Sequence, residues 1–182
     1  VIVSGATGGV GSIAIEILAK RGYHVVALTG KEAETGYLKR LGASEVMLRQ
    51  SLDLAKIKPL DRETWAGAVD NLGGDVLAWM ASTMKVGGTL ASIGLAANFS
   101  LNTTVMPFIL RGVSLLGIDS VNCAMARRAE VWQHLATDMR PAHLTPGADS
   151  MVRAVAFADL PAAFDDYIEG RARGRVVVNI VP

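Results

Sequence analysis

The chain has one cysteine, few aromatic residues, almost no net charge and no long apolar run, and each shortage excludes something. Cys123 alone rules out an internal disulfide framework and any CxxC metal or redox motif. A formal charge of +1, from lysines and arginines scattered along the 182 residues, gives no case for nucleic acid. No apolar stretch is long enough to span a membrane, and no signal peptide is visible, which predicts a cytoplasmic protein. The first residue is Val1, inside an apparent strand, so the sequence reads as a piece of a longer protein. Aromatics are only 5% of a chain that is 51% hydrophobic, which suggests an α/β sheet rich in Ala, Val, Leu and Gly rather than a β-sandwich. The Tyr-x-x-x-Lys pair of one class of reductases is also missing. Four positions after Tyr23, Tyr37 and Tyr167 stand Ala27, Leu41 and Arg171.

What is present is concentrated at the start. Val1 to Val3 are β-branched and apolar, as a buried central strand requires. Glycines follow at Gly5, Gly8, Gly9 and Gly11. Val10, Ile13, Ala14, Ile17 and Leu18 then recur at helical spacing up to a Lys20-Arg21-Gly22 stop. Strand, glycine turn and helix in this order form a dinucleotide pyrophosphate site: Gly8 admits the phosphates, Gly11 lets the helix pack closely, and the helix start favours negative charge. In the G-x-G-x-x-G register the first glycine is replaced by Ala6. A second register, Ser4-Gly5-x-x-x-Gly9-x-Gly11, fits as well, and both bind a dinucleotide.

The end of the second strand, about His24 to Leu28, chooses the dinucleotide. An NAD site places Asp or Glu there to hold the ribose hydroxyls. Here the strand runs into Thr29-Gly30-Lys31, and the first acid, Glu32, belongs to the next helix. A hydroxyl, a free backbone N–H and an ammonium suit a 2′-phosphate, which a carboxylate would repel. Tyr37 and Arg49 add a phenol and a guanidinium, and NADPH is favoured over NADH.

Further strands are predicted at Glu45–Leu48, Ala66–Leu72, Thr89–Ile93 and Val113–Ile118, and helices at 37–41, after an Asp75 cap, near Met106–Leu110, and over Ala124–Met139 with Trp132, Leu135, Ala136 and Met139 on its apolar face. The alternation predicts a Rossmann-type doubly wound parallel sheet of six strands. Residues 1–145 are assigned to an NADP(H)-binding domain. Residues 146–182 read as a strand–helix–strand tail returning into a catalytic domain that is absent. His24, His134 and His143 are read as structural or solvated, without a carboxylate partner at useful spacing.

The segments GATGGVG, TGK, YLKRLGA, WAGAVDNLGG, GGTLASIG, TTVMPFILRGVSLLGIDSV and GRVVVNI, in this order, resemble the medium-chain dehydrogenase/reductase superfamily. Within it they are most similar to the zinc-free branch of NADPH-dependent acrylyl-CoA reductases and quinone oxidoreductases. The resemblance covers essentially the whole chain and implies an upstream GroES-like domain. Carried over by position, Thr7, Gly8, Gly9, Val10 and Gly11 hold the pyrophosphate. Thr29, Gly30 and Lys31 with Tyr37 hold the 2′-phosphate. Leu72, Gly94 and Leu95 line the crevice, and Arg175 reaches back to the cofactor. The resemblance implies hydride transfer from NADPH to an activated C=C without a metal, a thioester or quinone-like substrate, and a homodimer formed through the sixth strand. No residue is assigned as proton donor. A non-catalytic NADPH-binding module is the alternative for the isolated chain.

Overall fold

A computed structural model of the chain describes residues 1–145 and 150–180. Its centre is a six-stranded parallel sheet built from β1 (Ile2–Val3), β2 (Val26–Thr29), β3 (Glu45–Leu48), β4 (Trp65–Asp70), β5 (Met84–Ser92) and β6 (Ser114–Gly117) in the order β3-β2-β1-β4-β5-β6. Alternate residues of the central strands feed two cores. Ile2, Val26 and Leu28 join Met80, Met84 and Leu90 on one face. Val3, Val25 and Ala27 join Ile15, Tyr37 and Leu38 on the other. Strands buried on both faces read as continuous apolar runs, hence the Val1–Val3 signal. Helices α1 (Gly9–Lys20) and α2 (Thr35–Arg40) cover the second face, and α3 (Gly74–Ser82) covers the first.

The strand order reverses between β1 and β4, which opens a crevice at their carboxyl ends. β4 stops at Asp70, short of the expected Leu72, because the Asp70 carboxylate accepts the N–H groups of Leu72 at 3.2 Å and Gly73 at 2.9 Å. These bonds turn the chain into α3, whose N-cap is Gly73; Asp75, expected as the cap, sits inside the first turn. β5 starts at Met84, ahead of the expected Thr89. Gly87 and Gly88 lie within it, where the pairing slips between Trp65–Met84 and Gly67–Thr89. They are a bulge, not the turn before the strand.

Beyond α4 (Met106–Arg111) and β6, helix α5 (Met125–Ala136) departs from its expected packing. None of its residues is buried, and Trp132 is 64% exposed. The tail forms β7 (Val152–Ala156), α6 (Leu160–Ile168) and β8 (Arg175–Asn179), with β7 and β8 paired in a separate parallel sheet. Met151, just before β7, is buried in the α1/α2 core. The Gly174 N–H donates to the Thr7 carbonyl at 2.8 Å. The tail is therefore seated on the glycine turn itself. The boundary expected after residue 145 abuts residues 146–149, which lie outside the described residues. No helix among the described residues is long and apolar enough to cross a membrane.

Candidate functional site

At the crevice lies a cleft of about 750 Å³. Its floor is the turn from β1 into α1. Gly5 takes φ +57°, a conformation that glycine adopts without strain. A Cβ on Gly11 would lie 2.9 Å from the Ala6 Cα and 3.0 Å from the Ala6 carbonyl oxygen, so only glycine lets α1 approach the strand. Gly8, the N-cap, brings no side chain to the first turn of α1. Those N–H groups, with the helix dipole, are left to an anion. A Cβ on Gly9 would fall 2.6 Å from Cδ of Arg175, whose guanidinium spans the turn from the tail side.

One end of the cleft is made by backbone. Asp70 is fully buried and accepts the Ser4 hydroxyl at 2.6 Å in addition to its two N–H partners. The Ser4 hydroxyl in turn accepts the Asn71 N–H at 2.9 Å, and the Asn71 amide donates to the Ser4 carbonyl at 2.7 Å. This network holds Asn71-Leu72 rigid. Residues 94–98 are laid beside it by bonds from the Ala97 N–H to the Leu72 carbonyl at 2.9 Å and the Ala96 N–H to the Asn71 carbonyl at 3.3 Å. Gly94 permits this, since a Cβ there would come within 3.0 Å of the Asn71 carbonyl carbon. Leu72 packs partly into the core, and Leu95 is 67% exposed.

The other end carries the positive charge. Thr29 is buried, and its hydroxyl accepts the Lys31 N–H at 3.0 Å. That bond tightens the turn after β2. Arg49 crosses Gly30, its guanidinium 3.5 Å from where a Cβ would be. The Lys31 ammonium donates to the Ala172 carbonyl of the tail. Partial burial holds the Lys31 pKa below its ordinary value, and the nearby Glu34 partly offsets this.

The cleft thus gathers Thr7, Gly8, Gly9, Val10, Gly11, Thr29, Gly30, Lys31, Arg49, Leu72, Gly94, Leu95 and Arg175. Tyr37 is the exception. It lies on the inner face of α2, 2% exposed, and its hydroxyl donates to Ser12 at 2.8 Å instead of reaching the cleft. Burial raises its pKa. The spacing placed Tyr37 correctly on α2 but not on the correct face. The histidine reading is also corrected. His24 meets Glu45 at 2.9 Å, His134 meets Asp138 at 2.9 Å, and His143 meets Glu16 at 3.0 Å. Only the second is a local pair; the others join distant segments, so spacing along the chain could not show them.

Sequence reasoning missed Asn71, Tyr167, Glu169, Gly170 and Ala172, which also line the cleft. The last four come from the tail, and the available signal was the pair Gly170 and Gly174, both at positive φ on either side of a short arginine-rich segment. Among the described residues, no group of three or more His, Cys, Asp or Glu lies together as metal ligands would.

Residues 9–137 match the model of the zinc-binding dehydrogenase family. The putative quinone oxidoreductase YhfP of Bacillus subtilis is 47% identical over 99% of this chain and 54% of its own length. A structure of B. subtilis yhfP with NAD bound matches 98% of this chain and 54% of that one, with a TM-score of 0.89. The acrylyl-CoA reductase AcuI of Ruegeria pomeroyi is 43% identical over 99% of this chain and 53% of its own length. A structure of Escherichia coli K-12 YhdH with bound NADPH is 42% identical with a TM-score of 0.91, over 99% of this chain and 54% of that one. The chain spans about half the length of these relatives. With the family model matched over most of its residues, the chain belongs to the zinc-binding dehydrogenase family of the medium-chain dehydrogenase/reductase superfamily.

Proposed function

We propose that the protein carrying this chain is an NADPH-dependent reductase that delivers hydride to an electron-poor C=C, with the acrylyl thioester of coenzyme A as substrate and propanoyl-CoA as product. The observation that carries the cofactor half is the end of β2. A buried hydroxyl, an ammonium and a guanidinium from Thr29, Lys31 and Arg49 line the cleft there, and no Asp or Glu stands at the tip of the strand. The substrate half rests on the relatives named as acrylyl-CoA reductases.

The residues fit a dinucleotide because Gly8 caps α1 without a side chain and leaves the N–H groups of the first turn to an anion, while Gly11 lets the helix sit close on the strand. Thr7 to Gly11 and the start of α1 bind the diphosphate, with Arg175 closing over it. Lys31, Arg49 and the Thr29 hydroxyl bind the 2′-phosphate. Leu72, Gly94 and Leu95 orient the reacting end and exclude water. The nicotinamide supplies the hydride when bound; the protein aligns it and keeps the site dry. Addition at the β-carbon leaves an enolate that must be stabilised and then protonated at the α-carbon, and that proton is assigned to no residue of this chain. An upstream domain supplies the rest of the substrate pocket, with residues 1–145 as the cofactor domain and 146–182 as the return into it. The protein is a cytoplasmic homodimer that needs no metal.

A second reading, a quinone oxidoreductase using either dinucleotide, is favoured by YhfP and the NAD in its structure. Calorimetry with both dinucleotides separates the two cofactor assignments. NADPH is expected to bind more tightly than NADH, and Lys31→Ala should cost NADPH roughly 1–3 kcal/mol while NADH is unchanged. Equal affinities before mutation would overturn the cofactor assignment. Following NADPH absorbance with acrylyl-CoA and with a small quinone decides the substrate, and quinone turnover without acrylyl-CoA turnover selects the second reading.

A further inference from the structure

Acid is scarce at the 2′-phosphate end of the cleft but not absent. Residues 32–34 form a short turn between β2 and α2 that carries Glu32 and Glu34. Glu32 is exposed to solvent. Glu34 folds back, because its N–H donates to the Lys31 carbonyl at 3.1 Å, one tight turn from the ammonium proposed to hold the phosphate. The same carboxylate acts electrostatically on both Lys31 and Tyr37. A carboxylate so placed opposes a dianionic phosphate unless its charge is cancelled.

The cancelling group comes from the tail. The Arg173 guanidinium approaches a Glu34 carboxylate oxygen to 3.3 Å. It also stacks 4.5 Å from the centroid of the Tyr37 ring. Glu34 is the more covered partner: side-chain exposure is 24% for Glu34 and 38% for Arg173, whose residue as a whole is exposed. Its neighbour Ala172 lines the cleft and accepts the Lys31 ammonium. Tyr37, displaced from the phosphate role, is thereby the platform on which this arginine rests. Of the other acids nearby, Asp166 takes Arg153 at 2.8 Å and Arg171 at 3.2 Å, Glu169 pairs with Arg171, and Glu32 faces solvent.

We infer that Arg173 is a specificity-determining residue that acts through Glu34: stacked on Tyr37, it neutralises this half-buried carboxylate within a turn of Lys31 and so leaves the end of β2 selective for a 2′-phosphate. It is a positioning residue, and its effect is confined to dinucleotides that carry that phosphate. The inference rests on the NADPH assignment above, and the experiment keeps the two apart.

The test measures dissociation constants of NADPH, NADH and the fragments 2′,5′-ADP and 5′-AMP for the protein carrying this chain and for Arg173→Gln, Glu34→Gln and the double variant. Arg173→Gln exposes the Glu34 charge and should weaken NADPH and 2′,5′-ADP about tenfold, the scale of one partly screened charge–charge interaction, with NADH and 5′-AMP essentially unmoved. Glu34→Gln alone should leave NADPH binding equal or tighter. The double variant, which removes both charges, should recover the parent's affinity to within about threefold, as a charge mechanism and not a propping one demands. An unchanged NADPH-to-NADH ratio in Arg173→Gln overturns the inference. So does a double variant as weak as Arg173→Gln, which would make the arginine a mere anchor for the tail. A parent protein that prefers NADH fails the cofactor assignment instead, before any variant is compared.

Discussion

Two glycines on neighbouring helices give opposite expectations for the same substitution. Replacing glycine by alanine inside a helix gains about 1 kcal/mol of propensity. At Gly36 of α2 nothing opposes that gain. The residue is exposed, and an added Cβ would meet only the tip of Arg40 at 3.4 Å, a flexible end that can yield. Gly36→Ala should therefore stabilise by about 0.5–1 kcal/mol. At Gly11 of α1 the new methyl meets backbone on every side: the Gly5 carbonyl, the Ala6 Cα at 2.9 Å and the Ala6 carbonyl at 3.0 Å. None of these can move without shifting the turn or lifting the helix. Overpacking of this kind costs about 1–3 kcal/mol, and unyielding backbone puts it in the upper half of that range. Net of propensity, Gly11→Ala should lose about 1–2 kcal/mol, a fall in Tm of roughly 2–8 °C for a domain of this size. Because the helix start is also the anion site, NADPH affinity should fall with it. Differential scanning fluorimetry with and without NADPH reads both effects. A Gly11→Ala protein as stable as Gly36→Ala, with unaltered NADPH binding, would refute the close-approach argument.

Tyr37→Phe should leave NADPH affinity unchanged, since the ring faces the core, while costing about 1 kcal/mol for the lost bond to buried Ser12, as chemical denaturation would show. It should also flatten the alkaline limb of stability. The native pKa of Tyr37 lies above its ordinary 10.0, so the unfolded chain gives up its proton first and stability drops as pH rises beyond that value in the parent only. The β6 edge, with Leu116 and Ile118 about half exposed, should pair across a two-fold axis, and light scattering of the protein carrying this chain should give a dimer at every concentration; a monomer throughout would reject that pairing.

The sheet was legible because its signals are local. β-branched runs, glycine turns and capping residues announce β1, α1, β2 and β3 within a residue or two. The floor of the cleft was legible for the same reason, since Thr7 to Gly11 and Thr29 to Lys31 are contiguous segments whose geometry follows from their own composition. Two kinds of feature were not. Gly87 and Gly88 carry the composition of a turn, and only pairing with Trp65–Gly67 of β4 makes them a bulge. Tyr37, Arg173 and Glu16 depend on which face of a helix turns inward and on partners more than a hundred positions away, as with Glu16 and the N–H of Ala142 at 2.6 Å. No spacing rule reaches across that distance.

The seating of the tail on the glycine turn has a consequence for how the protein is made. The bond from Lys31 to Ala172 joins residues 141 positions apart, and the Gly174–Thr7 bond joins the same two stretches. On the ribosome the glycine turn is complete long before the segment that walls it exists. Between those two points of synthesis the nascent chain holds an open half-cleft, whose phosphate turn and tail are joined only when the distant segment emerges. Closing so long a loop is slow compared with forming the local turns beneath it, although its entropic cost grows only slowly with length. A dinucleotide already resting on the finished half would meet residues 169–175 on arrival and favour their docking by mass action. A dinucleotide bound in this way is a template for the docking of the tail as well as the ligand of the finished cleft.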